Sequence, residues 1–218
     1  MNEMLPFPDR IQPLLDLRDL PLDTASLAAL AAGLGWASGL RLYALVFVLG
    51  ALGYFGGVRL PGELDVLAHP VVLSISGVML LTEFFADKLP WLDSLWDTVH
   101  TFIRIPAGAA LAAAVMGEQP ANVQVLAALL GGTVAAGTHF AKAGARAAIN
   151  TSPEPVSNVA ASLGEDALFA GGLWTLLNYP LVFVAALVVF MLLAIWLIVA
   201  MWRFLRHRFR PRKTVGPA

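Results

Sequence analysis

Residues 180–201 read PLVFVAALVVFMLLAIWLIVAM, a run without a single charged side chain. A helix needs about 20 mostly apolar residues to cross roughly 30 Å of hydrocarbon, because it rises about 1.5 Å per residue. Tyr179 precedes the run and Trp202 follows it, and such rings anchor helix ends at the membrane interface. The run therefore predicts a membrane-spanning helix.

The rest of the 218-residue chain has a similar composition. Hydrophobic residues make up 58% of it and charged residues only 13%, against about 25% charged in an average soluble domain. Its mean hydropathy is +0.74. The absence of cysteine excludes disulfides, iron–sulfur clusters and thiol nucleophiles. The composition indicates an integral membrane protein.

Five further segments have the length and apolarity of membrane-spanning helices, and prolines fall in the connections between them. They are residues 35–56, 70–86, 93–116, 122–146 and 157–178. We therefore predict an all-α, polytopic membrane protein with about six spans. Residues 27–36 form either an interfacial helix or the first turns of a long first span. Re-entrant hairpins at 91–116 and 157–178, turning at Pro106 and Gly171, are an open alternative.

Charge divides the chain into three regions. Residues 1–26 are an acidic, proline-rich lead-in without the features of a cleavable signal peptide. Residues 27–203 are the membrane domain, and residues 204–218 are a basic tail. Basic residues mark the cytoplasmic side of a membrane protein, and six spans place both termini on one side. We therefore expect a multi-pass membrane protein with both termini in the cytoplasm.

Ionisable side chains recur at helical spacing within the middle segments. One face of the third segment carries two aspartates, a histidine and an arginine, and a matching face of the fourth carries His139, Lys142 and Arg146. Charges at membrane depth usually face a bundle interior, a cavity or each other. We therefore predict a largely charge-balanced vestibule, open to the cytoplasm, beneath an apolar outer half. The alternative is that these side chains lie singly at the lipid headgroups.

Two pairs of segments suggest a partial internal repeat. PWLDSLWDTVHT (90–101) matches PVSNVAASLGED (155–166) in its polar positions, and GLGWASGLR (33–41) matches GGTVAAGTH (131–139) in its small residues. A six-span topology makes the first pair parallel and the second antiparallel. We therefore predict duplicated local motifs rather than an inverted repeat.

Three stretches carry a resemblance to a known family. EFFADKLPWLDSLWDTVHTFIRIPAGA (83–109), SPEPVSNVAASLGEDA (152–167) and ASGLRLY (37–43) resemble a family of small bacterial integral membrane proteins known only as a domain of unknown function. The likeness covers about residues 27–178 and implies no substrate, reaction or cofactor. The resemblance and the charged helix faces together indicate the candidate binding or transport residues. These are Arg41, Glu83, Asp87, Lys88, Asp93, Asp97, His100, Arg104, His139, Lys142, Arg146, Asn158, Glu165 and Asp166.

Three functions fit these residues. The leading hypothesis is a carrier or channel for an ion or small polar solute, in which Asp93 and Asp97 bind a cation or proton and Lys142 and Arg146 supply counter-charge. The second is a non-catalytic scaffold or subunit whose charged face docks another membrane protein. The third is an enzyme acting on lipid headgroups with Mg²⁺, although HExxH, GxSxG and aspartate-rich motifs are absent from the sequence.

We predict no cofactor. Zinc would have to rely on His100, His139 and carboxylates from separate helices, because the chain has no cysteine. The expected partner is the lipid bilayer, since the basic tail follows a span directly and suits anionic lipid rather than nucleic acid. The first span ends in four glycines, Gly50, Gly53, Gly56 and Gly57. These glycines either line a helix–helix or subunit interface or relax the end of the span. A homo-oligomer is therefore an open alternative.

Overall fold

A computed structural model describes residues 24–56, 59–151 and 155–208. All regular structure within these residues is helical, as predicted. The six α-helices are α1 Thr24–Phe55, α2 Pro70–Ala86, α3 Pro90–Val115, α4 Ala121–Ile149, α5 Pro155–Asn178 and α6 Pro180–Arg208, and a 3-10 helix, Gly62–Ala68, precedes α2. Most of the predicted lead-in, Gly57 and the last ten residues of the basic tail lie outside the described residues.

Each predicted apolar segment corresponds to one α-helix, and proline sets the start of four of them. Pro70, Pro90, Pro155 and Pro180 are the first residues of α2, α3, α5 and α6. Proline suits this position because the first N–H groups of a helix have no intrahelical acceptor and its φ already matches the helix. The prolines in the short connections therefore mark where these four helices begin.

Among the described residues, four helices are long and apolar enough to cross a membrane: Thr24–Phe55, Trp91–Val115, Ala121–Ile149 and Pro180–Arg203. A fifth is added if the 3-10 helix and α2, which meet at 73°, form one broken span. Large apolar side chains such as Phe102, Leu181 and Trp196 are exposed on the outer faces. Exposed apolar surface on this scale indicates a membrane-embedded protein.

Helix α1 is broken near its middle. Arg41 has φ −147° and ψ 75°, far from helical values, so α1 consists of a first arm, 24–40, and a second arm, 42–55. Leu34 of the first arm and Leu49 of the second line the same cavity, together with Leu60. The two arms therefore fold back towards each other with Arg41 at the tip. The predicted start at residue 35 is too late, because the helix begins at Thr24; of the two alternatives for residues 27–36, the first turns of a long first helix are observed.

Contacts along the arms give their directions. Gly33 packs against Leu176 and Trp36 against Gly172, so the first arm runs antiparallel to α5. In the second arm Tyr43 contacts His100, while Leu49 lies near Val115, so this arm runs parallel to α3. The start of the first arm and the end of the second arm therefore both lie at the end of the bundle where α3 and α5 finish. We call this end of the bundle the cavity end.

Helix α6 finishes at the opposite end of the bundle, which we call the α6 end. Met191 packs against Gly137 and Met201 against Gly144, so α6 runs parallel to α4. The first described residues thus lie at the cavity end and the last at the α6 end. The two ends of the described chain therefore lie at opposite ends of the bundle, because α1 turns back at Arg41; the termini themselves lie outside the described residues.

The predicted alternative of re-entrant hairpins at 91–116 and 157–178 is also wrong. Helix α3 continues through Pro106, and α5 continues through Gly171 and Gly172. Both helices start at the α6 end, so 90–101 and 155–166 run in the same direction. The segments 33–41 and 131–139 also run in the same direction, side by side, because Gly35 faces Gly131 and Gly39 faces Ala135.

Small residues allow α1, α3 and α4 to approach closely. A Cβ on Gly35 would collide with the backbone of Gly131, and one on Gly131 would collide with Ala112 of α3. Such contacts are a common means of helix association in membranes. Gly50 and Gly53 pack within the chain, against Leu67 and Ala68, so these two serve a helix–helix contact rather than a subunit interface.

Candidate functional site

Arg41, at the break of α1, binds acids from two other helices. Its Nη1 lies 2.7 Å from Asp87 Oδ2, just after α2, and its Nη2 lies 2.9 Å from Asp166 Oδ1 on α5. Nη2 also donates to Ser162 Oγ at 3.3 Å. The guanidinium is 1% exposed. The break therefore places a cationic side chain in the interior, where it joins α1, α2 and α5.

Arg104 of α3 forms a second group. Its Nη1 donates to Asp97 Oδ1 at 2.9 Å, and its Nη2 donates to Glu83 Oε1 of α2. Ser38 Oγ donates to the Arg104 carbonyl at 2.8 Å, which ties the first arm of α1 to this group. Nη1 also approaches His139 Nδ1 of α4 at 3.4 Å. All of these side chains are buried.

Arg146 of α4 makes the most directional ion pair. Its Nε lies 2.7 Å from Glu165 Oε1 and its Nη2 2.9 Å from Glu165 Oε2. This paired geometry uses the planar fork of a guanidinium. Nη1 donates to Asn158 Oδ1 at 2.8 Å and to the Asp87 carbonyl at 3.2 Å. Arg146 thus joins α4 to α5 and to the end of α2.

Lys142 lies between these groups. Its Nζ is 3.4 Å from Glu165 Oε2, 3.5 Å from Asp87 Oδ2 and 3.7 Å from Asp97 Oδ1. The Leu40 carbonyl, at the end of the first arm of α1, lies 3.5 Å from the same nitrogen. The Lys142 ammonium therefore interacts with three acids from different parts of the chain, and none of these contacts is shorter than 3.4 Å.

Asp93, in the first turn of α3, is the acid with the weakest cationic contact in the cluster. The nearest cationic atom is Arg146 Nε, 3.9 Å from its Oδ1, although the carboxylate is fully buried. Asn150 Nδ2 donates to its Oδ2 at 3.3 Å. The Asp93 carboxylate is therefore stabilised largely by a hydrogen bond from the neutral Asn150 amide rather than by a cationic side chain.

The two predicted histidines are held by neutral groups. His100 Nε2 lies 3.0 Å from the Tyr43 hydroxyl, and its ring stacks on Trp96 with centroids 4.0 Å apart. His139 Nε2 lies 2.7 Å from Thr101 Oγ1. Trp96, whose ring packs against His100, therefore lies at the edge of the polar face of α3.

Ser38, Tyr43, Thr101 and Trp96 also lie at this site but were not predicted, because the candidates were chosen mainly for their charge. Thr101 had a usable signal, since it lies four residues after Asp97 and so shares its helix face. Tyr43 and Ser38 lie close in sequence to Arg41, but only the break at Arg41 explains how both reach the site.

Thirteen of the fourteen predicted site residues lie in this cluster, and Lys88 does not. Lys88 Nζ lies 3.1 Å from the centre of the Phe84 ring and donates to the Phe84 carbonyl at 3.1 Å. Its side chain therefore points towards the outer surface of α2. It lies beside the cluster rather than within it.

The cluster is closed rather than an open vestibule. Its four cationic side chains and the acids Glu83, Asp87, Asp93 and Asp97 are at most 4% exposed. Glu165 is 14% exposed and Asp166 is 36% exposed. The predicted vestibule is therefore not observed, because opposite charges pack against each other and fill the space. The alternative of single charges at headgroups is also wrong for these residues.

The cluster contains more acids than bases. Six carboxylates, from Glu83, Asp87, Asp93, Asp97, Glu165 and Asp166, face the side chains of Arg41, Arg104, Lys142 and Arg146. One oxygen of each of the first four acids is buried without a hydrogen-bond donor. Within the described residues, no group of three His, Asp or Glu side chains is arranged to hold a metal ion. The arrangement suits a proton or a singly charged cation.

A cavity of about 320 Å³ lies at the cavity end, between the two arms of α1. Leucines, among them Leu27, Leu30 and Leu176, form most of its wall, and Arg59 and Glu118 supply polar groups. Leu34, in its wall, is seven residues before Arg41. The cavity therefore approaches the charge cluster from the opposite end of the bundle.

Comparison with known proteins adds one finding to this geometry. A family described as a domain of unknown function (DUF4126) matches residues 28–200, which is most of the chain. The chain belongs to the DUF4126 family. The match confirms the expected membership of a family of unknown function. No curated protein and no solved structure matches the chain. The family description states no activity, so function has to be argued from the charge cluster.

Proposed function

We propose that this protein moves an ion or small polar solute across the bacterial inner membrane and binds it at the charge cluster. The observation that carries the proposal is a cluster of ten charged side chains from five helices around the break in α1, eight of which are buried. Burying ions costs several kcal/mol each, and apolar packing is often at least as stable. Ionisable groups inside membrane domains therefore commonly mark a path for ions or solutes.

The break in α1 supports transport specifically. Discontinuous helices meeting in a bundle are a recurring feature of secondary transporters, where freed backbone groups and helix ends bind ions or solutes. Here the break lies at Arg41, and the adjacent Leu40 carbonyl faces Lys142. A small movement of either arm would alter these contacts at the centre of the cluster.

The excess of acids favours a cationic solute. Six carboxylates against four bases leave two negative charges when all ten groups are ionised, and these charges are stabilised by bound protons or cations. Asp93 and Asp97 remain the leading candidates. Asp93 has its nearest counter-charge at 3.9 Å, and Asp97 shares Arg104 with Glu83.

Two routes to the cluster follow from this arrangement. From the α6 end, the half-exposed Asp166 is the most accessible charged group. From the cavity end, the apolar cavity reaches Leu34 on the first arm of α1. Alternating access would open one route at a time, and the buried cluster corresponds to a state closed to both.

The orientation follows from the basic residues near the C-terminus. Arg203 and Arg206 lie at the end of α6, and the sequence continues with further basic residues. The positive-inside rule then places the α6 end in the cytoplasm and the cavity end outside. In this topology α1 enters from outside and returns, and the end of α6 lies in the cytoplasm.

The other two hypotheses have weaker support. Docking through a charged face requires outward-pointing charges, whereas the charged side chains of the cluster face each other. A Mg²⁺-dependent lipid enzyme requires carboxylates free to bind the metal, whereas these carboxylates are paired with arginine and lysine. Transport is the function that accounts for charges in the interior.

The test is flux into proteoliposomes that contain a pH-sensitive and a potential-sensitive dye. Gradients of K⁺, Na⁺, Li⁺, chloride and phosphate are applied one at a time to the parent protein and to Asp93→Asn, Asp97→Asn and Glu63→Gln. Glu63 is exposed at the cavity end and serves as the control. We expect flux in the parent and the control, and at least a tenfold loss in Asp97→Asn. Flux no greater than in empty liposomes would refute transport of these ions.

A further inference from the structure

The cavity between the two arms of α1 has an apolar wall made mostly of leucine. Its buried leucines include Leu27, Leu30, Leu34, Leu49, Leu60 and Leu176. Leu27 and Leu34 are seven residues apart on the first arm of α1, which corresponds to about 10 Å at 1.5 Å per residue. A leucine-lined space excludes water and accepts apolar molecules instead. The cavity therefore suits a hydrocarbon chain.

The size of the cavity limits what can enter it. Its volume of about 320 Å³ is at the lower end of the range of roughly 300–1,000 Å³ that is typical of small-molecule sites. A space of this size holds part of one acyl chain. The headgroup and any second chain of a lipid would have to remain outside the wall of leucines.

The mouth of the cavity carries charges of both signs. Arg59, Glu118 and Gln119 belong to its lining, and all three residues are exposed. Within the described residues, neither Arg59 nor Glu118 forms an ion pair, so both charges are available to a ligand. A cationic and an anionic group at one mouth match a headgroup that contains both a phosphate and an ammonium.

Two turns hold the charged residues of the mouth in place. Gly62 has φ 61°, which glycine adopts readily, and a Cβ on it would collide with the Ala114 carbonyl at the end of α3. The segment that follows Arg59 is therefore held against the end of α3. Gln124 Nε2 donates to the carbonyls on either side of Glu118, at 3.1 and 2.9 Å, and so fixes the turn after α3.

Exposed aromatic side chains indicate the depth of this mouth in the membrane. Tyr54 and Phe55, at the end of the second arm of α1, have ring centroids 4.8 Å apart. Trp174 and Tyr179, near the end of α5, have ring centroids 5.6 Å apart. All four are exposed at the cavity end, and tyrosine and tryptophan concentrate at the level of the lipid headgroups. The leucine wall therefore extends from the headgroup level towards the acyl chains.

We propose that this cavity binds a zwitterionic phospholipid of the phosphatidylethanolamine type. One acyl chain lies between the two arms of α1, Arg59 binds the phosphate, and Glu118 accepts a hydrogen bond from the ammonium. The second chain stays in the bilayer. The site is separate from the charge cluster and goes beyond the transport proposal. Because the cavity is also the route from the cavity end, a bound chain closes that route.

The experiment counts the lipid that the full-length protein retains. The protein is delipidated in detergent and titrated with dioleoyl phosphatidylethanolamine, and bound lipid is counted by native mass spectrometry. Dioleoyl phosphatidylglycerol lacks the ammonium, and dioleoylglycerol lacks both the phosphate and the ammonium. We expect one phosphatidylethanolamine per chain, bound about fivefold more tightly than phosphatidylglycerol and at least tenfold more tightly than dioleoylglycerol, because each exposed charge contact contributes a small factor.

Variants of the mouth and of the wall locate the bound lipid. Arg59→Gln and Glu118→Gln should each weaken phosphatidylethanolamine binding about fivefold, and Glu118→Gln should also lose the preference over phosphatidylglycerol. Glu63→Gln is the matched control, because Glu63 is an exposed carboxylate outside the cavity lining, and it should bind like the parent. Leu30→Phe fills part of the cavity and should prevent retention of all three lipids.

The outcomes decide between a specific lipid site and a merely apolar space. Arg59→Gln and Glu118→Gln change exposed side chains, so they carry the test if Leu30→Phe does not fold. Equal affinity of the parent for phosphatidylethanolamine and dioleoylglycerol would overturn the inference. The same conclusion would follow from parental affinity in both mouth variants, or from no lipid retained by the parent.

The binding assay and the flux assay fail independently of each other. Ion flux in a protein that retains no phosphatidylethanolamine would refute the lipid site and leave transport standing. Specific retention of phosphatidylethanolamine by a protein without flux would refute transport and leave the lipid site standing.

Discussion

Arg41 Nη1 lies 2.7 Å from Asp87 Oδ2, and both side chains are almost completely buried. This pair connects the one break in described α1 to the end of α2. It also neutralises the arginine at a point where the backbone has left the helical conformation. The structure of α1 as two arms and the assembly of the charge cluster therefore depend on the same contact.

The first prediction concerns the stability of this pair. Arg41→Ala leaves Asp87 and Asp166 without their nearest cation. Removing one partner of a buried ion pair typically costs about 3–5 kcal/mol. We expect the lower part of that range, because Lys142 Nζ remains 3.5 Å from Asp87 Oδ2. Reversible unfolding in mixed micelles measures the change, and the exposed Arg59→Ala should be close to neutral. Equal unfolding free energies for the two variants would contradict the pair's role.

The second prediction compares single and double changes at Glu83 and Arg104. Arg104→Met leaves both Glu83 and Asp97 without a strong counter-charge, so we expect a loss of about 3–5 kcal/mol. Adding Glu83→Gln removes one of the two uncompensated acids. The double variant should therefore recover part of the loss, which a double-mutant cycle in the same unfolding assay measures. A double variant less stable than Arg104→Met would refute this coupling.

The third prediction concerns close packing between α1 and α4. A methyl group on Gly35 would collide with the backbone of Gly131, so Gly35→Ala should destabilise the protein by about 1–3 kcal/mol. Gly171→Ala is the matched control, because no atom lies within 4 Å of the position of its Cβ. In a helix interior this change should stabilise by about 0.5–1 kcal/mol. Thermal unfolding of both variants, followed by light scattering or circular dichroism, checks the opposite signs.

The fourth prediction concerns the two arms of α1. The natural chain has no cysteine, so single cysteines can be introduced without further changes. Ala25→Cys and Glu118→Cys should be labelled by a membrane-impermeant maleimide from one side of the membrane, and Arg206→Cys from the other. Right-side-out and inside-out vesicles give the two accessibilities. If Ala25→Cys is labelled from the same side as Arg206→Cys, then α1 crosses the membrane and the hairpin is incorrect.

Helical periodicity accounts for most of what was predicted correctly. Asp93, Asp97, His100 and Arg104 recur every three or four residues, so any helix through them has one polar face. The other face, with Trp91, Leu95 and Phe102, is exposed as lipid-facing surface. Local spacing was sufficient here because the faces of a regular helix are fixed by its geometry.

The pairings within the cluster were not predictable from spacing. Arg104 reaches Glu83, and Arg146 reaches Glu165, across 21 and 19 residues of sequence. Which acid meets which base depends on the rotation and depth of five helices. Lys88 illustrates the limit, because its neighbour Asp87 enters the cluster while Lys88 itself lies against Phe84.

The sequence by itself determined the helical class, the position of each apolar helix and the residues that would need a polar environment. Composition and periodicity decide these properties because they depend only on local geometry and on the cost of placing charges in hydrocarbon. The tertiary structure decided the break at Arg41, the direction of the first arm and the closure of the cluster. Arg41 leaves the helical conformation, and its partners Asp87 and Asp166 lie at the end of α2 and on α5. That local departure is stabilised by long-range ion pairs, which no local pattern in the sequence records.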